Sequence, residues 1–326
     1  MKKKVLITGA TGQCGSHLVD LLLEKDYDVF GLVRRSATSN TDNIKHNLNN
    51  GNFTLVEGDL EDARVLAHNI KLIKPDELYN TAAQSHVGYS FQNPEVTFNA
   101  NLKGVLNLLE AVRLHSPTTK FVQFSTSEMF GGMESVAYTE NSPLHPRSPY
   151  GVSKCSAHWL TIHYREAYNL FACCGIFFNQ EGERRGMNFV TRKATIAAAE
   201  IALGLRSKIG FGNIDTYRDW GYAPDYMEGC WRILQQEKPD EFIFASGQTH
   251  CIREMLDVVF VHAGLGDYQK YVYEDPKFYR PTEVNVLIGD STKARKNLGW
   301  EPKVSFTEMA KRMYDHDYKL LGGVDE

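Results

Sequence analysis

The chain has 326 residues, of which 42% are hydrophobic and 23% are charged. These values are close to the averages of folded globular proteins, so they exclude a disordered chain and a fibrous repeat. The 40 acidic and 36 basic residues leave a net charge of -4, which argues against a surface built to hold nucleic acid or anionic lipid. Any anion that the protein binds must therefore be held by a local cluster.

The sequence contains no apolar run of the roughly eighteen residues that a membrane helix needs. Its start, MKKKVLITGATGQCG, offers only Val5 to Ile7 as an apolar run, so we expect no signal peptide. The six cysteines are scattered and form no Cys-x-x-Cys pair. We expect a cytoplasmic protein without metal or disulfide, and with neither nucleic acid nor membrane as a partner.

Up to Ser125, short apolar runs alternate with longer amphipathic ones, which is typical of βα units around a parallel sheet. The predicted strands are 4–8, 28–33, 53–57, 77–81, 120–125 and 171–178, and the predicted helices are 12–25, 97–115, 149–168 and 191–204. We therefore predict an α/β protein with a doubly wound parallel sheet, a Rossmann fold, and a smaller α/β lobe.

The pattern becomes less regular beyond Asn179, which indicates the second lobe. Glu241 to Ser246 is apolar enough to return to the main sheet, so this lobe should be discontinuous. We predict a cofactor-binding domain of residues 1–178 and about 213–246, and a substrate-binding lobe of residues 179–212 and 247–326.

A glycine-rich turn follows the first predicted strand and opens the first helix, with Gly9, Gly12 and Gly15 at three-residue spacing. A dinucleotide pyrophosphate needs a tight turn, a backbone without Cβ where it approaches, and free N–H groups at a helix N-terminus. The spacing departs from the commoner Gly-x-Gly-x-x-Gly, but the strand-turn-helix context favours a dinucleotide site over a plain turn.

Arg34, Arg35 and Ser36 stand at the end of the second strand, where an NAD-selective protein would carry an acid for the ribose 2'-hydroxyl. Guanidinium groups bind a 2'-phosphate that a carboxylate would repel, so we predict NADP, with a solvated basic loop as the alternative. Asp59 and Leu60, after the third strand, are placed to touch the adenine, although Asp59 could also be an ordinary helix cap.

Tyr150 and Lys154 are four residues apart at the start of a helix and so share one face. An adjacent ammonium favours the phenolate, so we expect a lowered tyrosine pKa and a pair able to take a proton from a hydroxyl.

Thr126 and Glu128 follow the fifth strand at the carboxyl edge of the sheet, where such folds place their active sites. Thr126 can bind the same hydroxyl, and Glu128 can move a proton at a neighbouring carbon. Asn101, on the long helix, is predicted to hold this region in place through polar contacts.

Several segments in order, among them ITGATGQCGSHL, LVRRSATSNT, STSEMFG, PRSPYGVSK, NFVTRKA, YRDWG and FYRPTEV, resemble those of the extended short-chain dehydrogenases/reductases. Within that superfamily the chain is most similar to the nucleotide-sugar 4,6-dehydratases that act on GDP-mannose. The resemblance implies catalytic roles for Thr126, Glu128, Tyr150 and Lys154. It further implies a cofactor site that includes Tyr150 and Lys154 with Thr11, Gln13, Ala82 and Ala83, and a substrate site of Ser85, Asn179, Arg184, Arg192, Lys193, Arg218, Arg280 and Glu283.

The chemistry that the resemblance implies is an internal redox cycle on a GDP-hexose with NADP as cofactor. The C4 hydroxyl is oxidised, water leaves across C5 and C6, and hydride returns to C6, giving a 4-keto-6-deoxy sugar. The resemblance also implies a homodimer or homotetramer. In the tetramer, the segment Arg35 to His46 would contact the cofactor site of a neighbouring chain.

One loop departs from the family pattern Asn-His-Glu-Ser-Pro-Arg-Arg-Gly-Glu, because residues 179–187 here read NQEGERRGM. In the family this loop lies near the hexose, and Met187 removes a hydrogen-bond acceptor. A GDP-linked N-acetylglucosamine or a GDP-heptose therefore stays open beside GDP-mannose. A sugar 4-epimerase or keto-reductase would share Tyr150 and Lys154 but would not need Glu128, and a non-catalytic NADP-sensing module would need none of them.

Overall fold

The computed structural model describes residues 2–37, 40–132, 137–279, 282 and 284–323. The strands in chain order are β1 (Lys4–Thr8), β2 (Asp28–Val33), β3 (Phe53–Glu57), β4 (Glu77–Asn80), β5 (Lys120–Thr126), β6 (Ala172–Phe177), β7 (Asn179–Glu181), β8 (Ile209–Phe211), β9 (Tyr217–Arg218), β10 (Trp220–Tyr222), β11 (Glu241–Phe244), β12 (His250–Cys251), β13 (Val272–Glu274) and β14 (Val286–Leu287). In these described ranges, no helix has the length and apolar character needed to cross a membrane.

The α-helices are α1 (Gln13–Glu24), α2 (Ala63–Ile73), α3 (Val87–Gln92), α4 (Pro94–Phe98), α5 (Gly104–His115), α6 (Pro149–Tyr168), α7 (Val190–Ala202), α8 (Ala223–Leu234), α9 (Ile252–His262), α10 (Thr292–Leu298) and α11 (Phe306–Leu320). A π-helical turn, Asn99–Lys103, joins α4 to α5. The single helix predicted from residue 97 thus continues to His115 but contains the wide turn that functional regions often carry.

Seven parallel strands form the main sheet in the order β11-β6-β5-β4-β1-β2-β3. The order reverses beside β1, because β2 and β3 lie on one side of it and β4 to β6 on the other. In doubly wound sheets, ligands bind at the carboxyl ends of the strands at such a reversal. The predicted Rossmann fold is confirmed, and the predicted bounds of β1, β2 and β3 coincide with those observed.

Helices cover both faces of the sheet, which explains why the strands read as continuous apolar runs. Helices α1 and α8 pack on one face, where Leu18 and Ile233 are fully buried. Helices α2, α5 and α6 pack on the other face, where Leu66, Leu108 and Ala157 are fully buried.

A second core lies among α7, α9 and α11, with Trp220 stacked on Phe306 at 5.8 Å. Strand β11 returns to the main sheet beside β6, as the sequence suggested for Glu241 to Ser246. Trp300, which follows α10, packs into the core of the main sheet, a contact that the predicted division of the chain did not anticipate. The domain boundaries remain a prediction.

Candidate active site

The glycine turn after β1 has a shape that only glycine allows. Gly9 has φ of +66°, and a Cβ on Gly15 would stand 2.1 Å from the carbonyl oxygen of Gly9. The N–H of Gly12 donates to that carbonyl at 2.9 Å. A side chain at Gly9 would therefore strike the backbone of Ala82, and one at Gly15 would push the turn away from α1.

Helix α1 begins at this turn without a side-chain cap and without an acidic residue in its first turn. Its positive end therefore faces the carboxyl edge of the sheet uncompensated, as an anion site requires. Gln13 donates from Nε2 to the carbonyl of Gln180 at 3.0 Å, and Asn43 donates to the carbonyl of Thr11 at 2.9 Å. The turn is thus held from both sides.

The other predicted cofactor residues lie at the same edge of the sheet. Arg34, Arg35 and Ser36 are exposed directly after β2. Asp59 accepts from the N–H of Glu61 at 3.0 Å, so it does serve as a local turn cap. Leu60 is buried.

The loop after β4 is drawn towards the glycine turn. The N–H of Ala82 donates to the Thr8 hydroxyl at 3.2 Å, and the backbone of Ala82 would lie 2.9 Å from a Cβ on Gly9. Ala83 follows and is half-buried, as Ala82 is, while Ser85 is exposed. Ala82 therefore shares one edge of the cleft with the glycine turn.

Thr126 ends β5, and Tyr150 begins the first turn of α6. Ser148 caps this helix by accepting from the N–H of Gly151 at 3.0 Å, and Pro149 occupies its first position. A Cβ on Gly151 would stand 2.9 Å from the carbonyl oxygen of Glu128. This close approach sets the start of α6 against the turn that carries Thr126 and Glu128.

A network of hydrogen bonds holds the start of α6 against the loop after β4. Asn101 accepts from the N–H of Gln84 at 2.8 Å and donates to the Ser153 hydroxyl at 3.1 Å. Ser153 in turn donates to the carbonyl of Tyr150 at 2.7 Å. Asn101 is buried in the π-helical turn, so the wide turn positions a group that fixes Tyr150.

The pKa of Tyr150 is raised to about 12, mainly because the phenol is buried; a hydrogen bond with Thr126 opposes this shift and the charge of Glu128 adds to it. The sequence-based expectation of a lowered pKa is therefore wrong for the protein alone, since desolvation outweighs any ammonium nearby. Burial likewise lowers the pKa of Lys154 to about 8. A hydrogen bond joins the phenol of Tyr150 to Thr126, and the Thr126 hydroxyl accepts from the N–H of Glu128 at 3.3 Å, so the three residues lie together.

Arg218 brings the small sheet of β12, β9 and β14 to this site, because its Nε lies 3.9 Å from Oε1 of Glu128. Its Nη1 donates to the carbonyl of Val284 at 2.7 Å. Asp219 holds the strand in place by accepting from Ser246 at 2.7 Å and from Gly247 at 2.9 Å. The sequence analysis did not predict a role for Asp219, although its position between Arg218 and Trp220 could have pointed to it.

The remaining predicted substrate residues are dispersed. Arg192 is buried, with Nε donating to Asp317 of α11 at 2.6 Å, so its guanidinium is engaged by the protein. Lys193 lies 3.5 Å above the ring of Phe278, and Arg184 pairs with Asp20 of α1 at 2.7 Å. Asn179 begins β7. Arg280 and Glu283 lie outside the described residues.

Two carboxylates that organise this region were not found from the sequence. Asp317 binds both Arg192 and the hydroxyl of Thr195, the latter at 2.6 Å, and Asp20 binds Arg184. Both residues lie on helices in ordinary amphipathic patterns, so nothing local in the sequence distinguishes them from surface acids.

The sheet order, the glycine turn at the start of α1 and the Tyr150 and Lys154 pair beside Thr126 define a Rossmann-fold protein of the extended short-chain dehydrogenase/reductase class. The family model described as GDP-mannose 4,6 dehydratase matches residues 6–313. The chain belongs to this GDP-mannose 4,6-dehydratase family.

Individual relatives agree with this assignment. The chain is similar to GDP-mannose 4,6 dehydratase 1 of Arabidopsis thaliana, with 49% identity over 98% of this chain and 91% of the relative. It is similar to GDP-mannose 4,6 dehydratase of Homo sapiens, with 44% identity over 97% and 91%. Among solved structures, the UDP-glucose 4-epimerase of Thermus thermophilus in complex with NAD has a TM-score of 0.84 at 27% identity, over 98% of this chain and 100% of that one.

Proposed function

We propose that this protein is a GDP-sugar 4,6-dehydratase that converts a GDP-hexose into a GDP-4-keto-6-deoxyhexose. The observation that carries the proposal is the placement of Glu128 with Thr126 and Tyr150 at the edge of the sheet, since the hydroxyl of Thr126 hydrogen-bonds the phenol of Tyr150 and accepts from the N–H of Glu128 at 3.3 Å. Membership of the GDP-mannose 4,6-dehydratase family supports the same reaction. A 4-epimerase does not remove the C5 proton of its sugar and so would not need Glu128.

The cleft fits a nicotinamide dinucleotide. Glycine at positions 9 and 15 lets the turn lie against the backbone of Ala82 and against α1, and the first turn of α1 is free of acids. The Nζ of Lys154 has no hydrogen bond or ion pair to any residue in the described ranges, although the side chain is 3% exposed. Gly9, Thr11, Gly12, Gln13 and Gly15 would hold the pyrophosphate, and Lys154 a ribose hydroxyl. When bound, the cofactor accepts the C4 hydride and later returns it to C6.

The side chains divide the proton transfers among them. Tyr150 takes the proton of the C4 hydroxyl, while Thr126 hydrogen-bonds the same oxygen. The resulting C4 ketone makes the C5 hydrogen acidic. Glu128 removes this proton and passes it to the C6 hydroxyl, which leaves as water when the C6–O bond breaks. Protonation at C5 accompanies hydride return to C6, so the product differs from the substrate by one water and the cofactor is unchanged.

We infer that NADP is preferred over NAD. Arg34 and Arg35 follow β2 where an acid would otherwise bind the ribose 2'-hydroxyl, and both are exposed. The similar epimerase from Thermus thermophilus was solved with NAD, so the fold does not itself exclude NAD and the arginine pair carries the preference for NADP. Asp59, Leu60, Ala82 and Ala83 line the same edge and would contact the adenosine.

For the substrate, we propose a GDP-linked sugar that Ser85, Asn179, Arg184, Arg192, Lys193, Arg218, Arg280 and Glu283 would bind. The altered loop leaves the hexose open between mannose, N-acetylglucosamine and a heptose. In the structure the start of this loop contacts the cofactor turn, because Gln180 binds both Gln13 and Cys14, while Met187 is 64% exposed. The side chain of Met187 is therefore available to a ligand or to solvent.

We further propose a homo-oligomer of two or four chains. Helices α5 and α6 pack side by side, and each exposes large apolar side chains: Leu106 and Leu114 on α5, and Val152 and Trp159 on α6. Val152 and Trp159 are seven residues apart and so lie on one stripe of the helix, opposite the buried Tyr150. A second copy of this chain would bury that stripe.

The reaction is tested by incubating the purified protein with NADP+ and a panel of GDP-, UDP-, dTDP- and CDP-sugars. Loss of one water from a GDP-sugar without net NADPH is the expected result. Deuterium placed at C4 should finish at C6, and solvent deuterium should enter C5. Inversion at C4 without loss of water would instead establish an epimerase.

A further inference from the structure

Asp20 of α1 binds three side chains that come from two separate loops. Its Oδ1 accepts from Asn47 Nδ2 at 2.5 Å and lies 2.7 Å from His46 Nε2. Its Oδ2 lies 2.7 Å from Arg184 Nη2. An isolated acid on a helix surface rarely holds more than one partner in place, because ordering several side chains costs conformational entropy. Both oxygens of Asp20 are therefore committed to holding neighbouring segments.

His46 and Asn47 end a 3-10 helix, Asp42–Asn47, which follows the arginine pair. Only residues 37–41 separate Ser36 from this helix. The helix has two further anchors, since Asn43 donates to Thr11 of the glycine turn at 2.9 Å and Ile44 is fully buried. The 3-10 helix is thus fixed to the cofactor turn at one end and to Asp20 at the other.

Arg34 and Arg35 lack such anchors of their own. Both are exposed, and neither makes a hydrogen bond or ion pair with another residue in the described part of the chain. Their position therefore depends on the elements that flank them, which are β2 on one side and the 3-10 helix on the other. A guanidinium binds phosphate strongly only when its N–H donors are held in line with the phosphate oxygens, so that two parallel hydrogen bonds form.

The Arg184 contact ties the second loop to the same carboxylate. Arg184 belongs to the segment whose Gln180 binds Gln13, and Arg192 of α7 donates to the carbonyl of Arg185 at 2.9 Å. Asp20 thus lies between the segment that follows the arginine pair and the loop that leads into the second lobe.

We propose that Asp20 is a positioning residue for cofactor selectivity: it fixes the 3-10 helix Asp42–Asn47 and so presents Arg34 and Arg35 to the 2'-phosphate of the dinucleotide. The inference rests on the NADP preference proposed above. NAD carries no 2'-phosphate, so its binding does not use the arginine pair. Loosening the 3-10 helix must then weaken the binding of NADP+ and leave the binding of NAD+ almost unchanged. A general loss of structure would weaken the binding of both.

The test compares dissociation constants for NADP+ and NAD+ by isothermal titration calorimetry on the full chain stripped of nucleotide. In Asp20→Asn, the affinity for NADP+ should fall about fivefold or more, as expected for lost charge-assisted hydrogen bonds, while that for NAD+ should change less than about twofold. Glu24→Gln is the matched control: Glu24 is an exposed acid one turn further along α1, without a hydrogen bond or ion pair to a described residue. It should leave both affinities unchanged.

Asn47→Ala removes the contact from the other side and covers the case in which Asp20→Asn folds poorly, which circular dichroism would show. It should lower the NADP+/NAD+ affinity ratio in the same direction. Wild-type ratios in both variants would overturn the inference while leaving the cofactor proposal intact. A wild-type protein that binds NADP+ and NAD+ equally would instead refute the proposed cofactor preference, and the role of Asp20 with it.

Discussion

Nε of Arg218 lies 3.9 Å from Oε1 of Glu128, and both side chains are about nine-tenths buried. Arg218 belongs to β9 of a small sheet in which it pairs with β12 and β14, whereas Glu128 follows β5 of the main sheet. The contact places the proposed C5 base beside an arginine proposed to bind the nucleotide. One sugar nucleotide can therefore touch both.

Substitution of Glu128 by Gln should suppress elimination on the order of 100-fold or more, because the amide cannot accept the C5 proton. Oxidation at C4 does not need this group, so NADPH absorbance at 340 nm should appear transiently in a stopped-flow trace. NADP+ affinity should be unchanged. Glu237→Gln, at an exposed site, serves as control, and a fully active Glu128→Gln variant would contradict the assigned role.

Replacing Tyr150 by Phe should lower kcat by roughly 100- to 10,000-fold, because the group that accepts the C4 hydroxyl proton is removed. The variant should still fold, since the ring and its buried surroundings are retained. Tyr168→Phe removes a phenol from the exposed end of the same helix and should retain wild-type turnover. Measured kcat values within about threefold of each other for the two variants would argue against Tyr150 as the base.

Burial lowers the pKa of His158 to about 4, with smaller contributions from Arg165 and Lys154, and Ser125 Oγ lies 2.9 Å from its Nδ1. The unfolded chain binds a proton near pH 6.5, whereas the folded protein resists protonation until about pH 4. The stabilising contribution is therefore complete above pH 6.5 and is lost as the pH falls towards 4, about 3 kcal/mol in all.

His158→Asn keeps a polar atom near the Nδ1 position and cannot titrate, so urea unfolding between pH 4 and 6.5 should show a shallower loss of stability. His68→Asn, on the exposed surface of α2, is the control. Equal slopes for His158→Asn and the wild type would show that His158 does not titrate as proposed.

Introducing a charge at the proposed interface should dissociate the oligomer. Trp159 is 57% exposed on α6, and Trp159→Glu would bury an uncompensated carboxylate against a second copy, so the dissociation constant should rise at least about tenfold. Sedimentation velocity over a concentration series measures this. Val261→Glu, on α9 of the second lobe and 67% exposed, should not change the distribution, and a wild-type protein that sediments only as monomer would refute the interface.

Much of the main sheet was predictable, because strands buried on both faces are apolar throughout and the helices between them are amphipathic. The predicted strands 4–8, 28–33 and 53–57 have their observed bounds, and the long helix that ends near Tyr168 was predicted approximately. The second lobe was less predictable. Its strands β8 to β10 and β12 to β14 have two or three residues each, too few for a period-two pattern to emerge.

The sequence by itself determined the class of fold and the glycine turn, and it indicated the residues proposed for catalysis, because each depends on a short local pattern or on the order of strands along the chain. Only the tertiary structure decided what surrounds them. The proximity of Arg218 to Glu128, the three partners of Asp20 and the raised pKa of Tyr150 all arise between segments far apart in the chain. Burial and long-range pairing depend on which surfaces fold against each other, and no local pattern of residue types contains that information.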